Sequence, residues 1–183
     1  MNRVRIADIK MLCGKTAVHS DMVKWHFEET VETAAQHYLN TLFGVPQISV
    51  MLQDAPRAHL NMIQHYTAYW NDNADLFLSG EFVPTSPLNN YPLQKVSSGK
   101  KLIIGAFDNY FFELPKGFKE IDILNAKLSD KLVFSSELKG GNYQCSIYDC
   151  EGVLHSKSLL KVDGVCTLTV PKSGLVQLNL IVN

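Results

Sequence analysis

The chain lacks any run of 18 consecutive apolar residues, so no membrane-spanning helix is expected. It also lacks a dominant charge. Seventeen Lys and Arg stand against 18 Asp and Glu, a formal net charge of -1. That balance offers no field to a nucleic acid or to an anionic membrane, and neither is expected as a partner. Cysteine is sparse: Cys13, Cys145, Cys150 and Cys166 form no C-x-x-C pair and have no histidine at zinc-site spacing. A Cys145–Cys150 bridge across a turn is sterically conceivable. Free, partly buried thiols are the expectation, because nothing else resembles a disulfide scaffold. Gly140-Gly141-Asn142 lacks the following helix and the Lys-Ser/Thr pair of a phosphate loop. No G-x-S-x-G elbow is present, which removes the usual esterase reading. The opening MNRVRIADIKML has no apolar core of a secretory signal. No metal or other cofactor is expected.

What is present is a chain of 183 residues, 46% hydrophobic, enough to bury a real core. Its character changes near residue 80. Before that point helices and short strands alternate. A helix is expected over 3–12, a strand at 15–19, a helix over 28–42, a strand at 47–52 and a helix over 56–70. In the 28–42 helix, Val31, Ala34, Ala35, Tyr38, Leu39 and Leu42 form one apolar stripe. Gly44 and Pro46 stop it. Asp54 is placed to cap the next helix and Pro56 suits its first turn. Leu60, Ile63, Thr67 and Trp70 make that helix's inner stripe, broadened by Met62, Tyr66 and Tyr69. Strands alternating with helices imply parallel pairing through right-handed crossovers.

From Glu81 onward turns punctuate short strands. Pro84, Pro87 and Pro92 keep a linker extended. Strands are expected at 101–107, 110–114, 121–126, 131–138, 143–149, 153–162, 165–170 and 175–182. Asp108-Asn109 turns the first of these into the second, and Gly140-Gly141, Glu151-Gly152, Asp163-Gly164 and Ser173-Gly174 mark turns between the others. Such spacing argues an antiparallel β-sandwich.

The stretch LCGKTAVHSDMVKWHFEETVETAAQHYLNTLFGVPQISVMLQD, residues 12–54, resembles the α-galactosidases of the clan that includes glycoside hydrolase family thirty-six. Members carry a segment of the kind SGNTAVHSDMLMWH, then a helix, then SVPQISV. The matching residues here are Gly14, 16–22, Trp25, His26 and 45–50. Val23 and Lys24 stand where the usual pattern has Leu or Met. Gly80-Glu81-Phe82, Asn90-Tyr91-Pro92 and 103–109 also look like the family's passage into its sandwich. The resemblance implies an α/β plus all-β fold. Residues 1–80 would be the carboxy-terminal (β/α) units of a TIM barrel, and residues 81–183 an antiparallel β-sandwich.

It further implies that His19, Asp21 and Met22 lie beside a sugar pocket, at the carboxyl end of a barrel strand. Read from the residues alone, Asp21 is also where a helix-capping acid would stand, and Met22 is equally a core filler. The two carboxylates of a retaining galactosidase come from earlier strands in the family, so no catalytic residue is assigned here. The function implied is that of a carboxy-terminal piece of an enzyme cleaving terminal α-galactosides. Its partners would be an α-galactoside or related carbohydrate and the missing barrel portion or an oligomer partner. Two other readings stand beside it: a non-catalytic carbohydrate-binding or structural β-sandwich module, and one subunit of a split barrel. Tyr110-Phe111-Phe112 is either a sugar-binding surface or an ordinary half-buried strand. Trp25, Tyr66, Tyr69 and Trp70 could stack on sugar rings, but their helical spacing is that of core residues.

Overall fold

The computed structural model describes residues 2–138 and 140–181. Four helices come first: α1 (Asn2–Cys13), α2 (Val31–Leu39), α3 (Arg57–Asp72) and α4 (Ala74–Ser79). Ten strands follow: β1 (Glu81–Thr85), β2 (Leu93–Ser98), β3 (Lys101–Ala106), β4 (Phe112–Leu114), β5 (Glu120–Asn125), β6 (Lys131–Ser136), β7 (Gly141–Tyr148), β8 (Leu154–Val162), β9 (Cys166–Thr169) and β10 (Leu175–Leu180). Val182, where the last expected strand ends, lies outside the described residues.

The strands make a seven-stranded sheet, ordered β1-β2-β3-β5-β10-β7-β8, and a three-stranded sheet, ordered β4-β6-β9. Strand periodicity sorts the side chains into two cores. Leu102, Ile104 and Ala106 of β3 point between the sheets with Ile121, Ile123, Val176, Leu178, Phe112 and Phe134. Ile103 of β3, Leu124 of β5 and Leu175 of β10 point the other way and meet the helices. The large sheet is therefore covered on one face by helices and on the other by the small sheet.

The helical side is filled chiefly by rings. Phe43, Phe77, Tyr66 and Met62 are fully buried there, with Ala34, Ala35, Tyr38, Leu39 and Leu42 beneath α2. Of the stripe expected on α2, Ala34, Ala35, Tyr38 and Leu39 are buried, Val31 is half-buried, and Leu42 is buried beyond the helix, which ends at Leu39 and not at 42. On α3 the buried set is His59, Met62, Tyr66 and Tyr69, so the inward face is turned about one position from the expected stripe, and Thr67 is exposed. Thr30 caps α2, its side chain accepting from the Thr33 amide. The helix therefore begins later than 28, and Asp21 caps nothing. Pro56, with no side-chain bond, stands at the cap position of α3 where Asp54 was expected.

The TIM-barrel expectation is overturned. Among the described residues every strand lies at or after Glu81, and the sheets do not close into a barrel. Residues 15–19 and 47–52 form no strands. They supply two isolated parallel bridges, His19 to Val45 and Val23 to Ile48. The alternating Ile48, Val50 and Leu52 look like a strand, but the two extended segments have only each other to pair with, and residues 52–54 curl into a single 3-10 turn.

The purely antiparallel sandwich is corrected too. β3 pairs parallel with β5, and β4 parallel with β6. The turn at Asp108-Asn109 does not close a hairpin. It carries the chain from the large sheet to the small one, and the chain then returns beside β3. The expected linker holds two further strands, β1 and β2, in antiparallel register. Pro84 is tolerated because β1 is a sheet edge, where a missing N–H breaks no ladder. All four cysteines are free. Cys145 faces the inter-sheet core and Cys150 the helical core, so the sheet itself separates them.

Candidate functional site

The two segments singled out by the family resemblance lie side by side. The Ser20 amide donates to the Val45 carbonyl at 3.0 Å, and the Val45 amide to the Val18 carbonyl at 2.8 Å. The Gln47 amide donates to Ser20 Oγ at 2.9 Å, the Val23 amide to Gln47 at 2.8 Å and the Ser49 amide to Val23 at 2.9 Å. A buried hydroxyl thus does what a further ladder bond would do.

Extended backbone sends alternate side chains to opposite sides. Val18, Ser20, Val23 and Trp25 are buried, whereas His19, Asp21, Met22, Lys24 and His26 are exposed. Trp25 is fixed by α3: its Nε1 donates to His59 Nδ1 at 3.2 Å. That bond leaves His59 Nε2 protonated, and it donates to the Glu29 carbonyl at 3.2 Å.

His19, Asp21 and Met22 are thus all exposed, Asp21 and Met22 standing where the alternation breaks. Met22 is 68% exposed. His19 Nδ1 lies 3.5 Å from the side-chain Nε2 of Gln47. Arg5 of α1 donates to the Asp21 carboxylate at 2.7 Å, both side chains being well exposed. Ile9, Met11 and Leu12 of α1, and Met51 and Leu52, are exposed as well, Leu12 at 87%. The helical layer leaves a series of large apolar side chains in water.

A second polar constellation, missed in the sequence, sits between α3 and the large sheet. Tyr69 OH donates to Asp122 Oδ2 at 2.9 Å, and Lys101 Nζ lies 3.3 Å from the same atom. Burial pushes the Asp122 carboxyl up, with Lys101 and the hydrogen bonds from Tyr69, Lys101 and Gln177 opposing it. Burial also drives the Tyr69 phenol well above its usual range. Four elements supply these residues, and no spacing in one stretch announces them. Beside them His65 is held down by burial, with Asp149 opposing, and its buried Nε2 has no partner. The Gly152 backbone lies against its ring, where an added Cβ would stand 2.7 Å from Nδ1. Lys10 is buried as well. Its ammonium donates to the carbonyls of Phe43 and Phe77, and burial lowers its pKa to about 8. These bonds tie α1 to the end of α4 and make Lys10 a structural cation.

Among the described residues no group of three or more His, Cys, Asp or Glu is placed to hold a metal ion, and no helix is long and apolar enough to cross a membrane. No family model, no curated protein and no solved structure matches the chain.

Proposed function

We propose that the chain is a piece of a larger retaining α-galactoside hydrolase, contributing a wall of the sugar pocket but not the nucleophile or the acid/base. One observation supports this above the rest. The two motif segments, 27 residues apart at Ser20 and Gln47, are bonded to each other and hold His19, Asp21 and Met22 outward. Folding gains nothing from an exposed methionine beside a carboxylate. A sugar has use for both. Its C–H face covers the thioether, and two neighbouring hydroxyls donate to the two carboxylate oxygens.

Arg5 already occupies Asp21. An exposed pair of this kind is worth only about 0–1 kcal/mol, so a hydroxyl competes with it on even terms. Retaining hydrolysis needs two carboxyl groups about 5–5.5 Å apart. Asp21 is paired with a guanidinium instead, which suits positioning and not bond cleavage. The exposed Met11, Leu12, Met51 and Leu52 are consistent with a partner covering this side.

The test is saturation-transfer NMR of galactose with the wild-type chain and with Asp21→Ala, alongside turnover of a nitrophenyl α-galactoside. Galactose transfer that disappears in Asp21→Ala, with no turnover, is the expected result. Turnover by the chain alone, or no transfer at all, contradicts it.

A further inference from the structure

A different part of the molecule, whose case does not depend on the galactosidase reading, holds a groove with mixed aromatic and polar walls. Beside the small sheet lies an open groove of about 370 Å³, lined by Asn109, Tyr110, Phe111, Ser129, Asp130 and Lys131, with Lys127, Leu132 and Val133 completing it. Its size falls within the roughly 300–1,000 Å³ of small-molecule sites. The two rings are not core: Phe111 is 53% exposed and Tyr110 38%. Only the third ring of the run, Phe112, turns inward, where it stacks on Phe134.

The groove is held in shape from below. Ser129 Oγ donates to Asn109 Oδ1 at 2.9 Å, which ties the two walls together. Lys127, itself buried, donates to Ser129 Oγ at 2.9 Å and to the Lys131 carbonyl. The Asn109 amide donates to its neighbour Asp108 at 2.7 Å, and Tyr110 OH lies 3.3 Å from Ser86 Oγ. The loop carrying the rings is thus fastened at two points, to Ser129 and to Ser86, which reduces the ordering left for a ligand to impose.

We propose that this groove binds a neutral saccharide. A purely apolar ligand would leave the polar rim of Asn109, Ser129, Asp130 and Lys131 undersolvated. A small anion would meet Asp130 as well as the lysines and would find no use for two exposed rings. A sugar ring uses both kinds of wall. Its C–H face lies on an aromatic face, and its hydroxyls donate to a carboxylate and accept from an amide or an ammonium.

Calorimetric titration with neutral disaccharides that contain no galactose (cellobiose, maltose, sucrose and trehalose) decides the matter, on the wild-type chain and on Phe111→Ala, Tyr110→Ala and Asp21→Ala. At least one disaccharide binds the wild type, each ring truncation weakens that binding by about tenfold, and Asp21→Ala leaves it intact. The ring variants retain the wild-type melting temperature, since neither ring is buried. Binding unchanged by both ring truncations, or no binding by any of the four, overturns the proposal. Failure at Asp21 with success here rejects the galactosidase reading alone.

Discussion

The large sheet is covered by helices on one face and by a second sheet on the other, and the two coverings differ in kind. Between the sheets the core is mostly aliphatic and follows the period-two rule: Leu102, Ile104, Ile121, Ile123, Val176 and Leu178 interdigitate around one ring pair, Phe112 on Phe134 at 5.6 Å. Under the helices the packing is aromatic. Phe43 meets Phe77, Phe82 and Phe107 with centroids 5.6, 5.9 and 6.1 Å away. Helices cross a twisted sheet at uneven height, and large rings fill such gaps where β-branched side chains fill regular ones. The outer sides differ as well. The helical layer leaves Met11, Leu12, Met22, Met51 and Leu52 in water, whereas the small sheet's outer face mixes Phe111 and Val133 with Glu113, Ser135 and Thr167. One side resembles an interface awaiting a partner, the other a surface with a local groove.

The largest effect on this comparison is expected from Phe77→Ala. Its ring touches Phe43, Tyr69 and Trp70, and its loss costs about 3–5 kcal/mol in urea unfolding. Phe134→Ala, in the other core, has a similar cost. Both variants should unfold in one transition by near- and far-UV signals, because the large sheet belongs to both cores. Separate transitions in Phe77→Ala would split the molecule into independent layers. Next comes Gly105→Ala. A Cβ there would stand 2.6 Å from the Phe43 ring and 2.8 Å from the Phe107 ring, inside the helical core. Overpacking of that kind costs about 1–3 kcal/mol, read as a lowered midpoint with an unchanged slope.

Two pH effects follow from polar groups on the helical side. Lys10 has a folded pKa of about 8 against 10.5 unfolded, so between those values the unfolded chain binds more protons. Stability contributed by this site rises from pH 8 to pH 10.5, and Lys10→Met flattens the rise. Asp122 behaves in the opposite sense. Its folded pKa lies above the unfolded 3.8, so the folded chain binds more protons in that window and stability falls as pH rises through it. Asp122→Asn removes this slope, as melts across the acidic range would record. A slope that persists in Asp122→Asn would place the titrating group elsewhere.

The smallest change in stability belongs to Asp21→Ala. An exposed pair contributes under about 1 kcal/mol, so the melting temperature stays near wild type. Any loss of sugar response in that variant then reports on the surface and not on the fold.

Helices α2 and α3 were legible from their spacing because each buries one face. The one-position turn of α3 was not, since Met62, Tyr66 and Tyr69 compete with Leu60, Ile63 and Trp70 for the inward face and only the sheet decides. Pro84 concealed β1, because an edge strand accommodates proline that a central strand rejects, and Pro87 and Pro92, which lie between β1 and β2, made the whole stretch read as a linker. Most strands of the sandwich were legible, but their pairing was not: nothing local at Asp108-Asn109 distinguishes a hairpin from a change of sheet. The alternation in 47–52 read as a strand because periodicity describes one segment and says nothing of whether a partner ladder exists. For the candidate sites, His19, Asp21 and Met22 were singled out by a contiguous motif. Tyr110 and Phe111 showed only as an aromatic run. The Asp122, Tyr69, Lys101 and Gln177 network had no sequence signal, being assembled from β5, α3, β3 and β10.

The most direct test of a sugar-facing surface on the helical layer uses the methionine methyl groups. Met22 and Met51 are exposed on that layer, and Met62, fully buried in the helical core, serves as an internal control. On titrating galactose into the methyl-labelled chain, the Met22 resonance is predicted to shift in a saturable way. Met62 should stay still, and Asp21→Ala should abolish the shift. A Met22 resonance indifferent to galactose, or one that moves equally with any sugar and in Asp21→Ala, would contradict the proposed function.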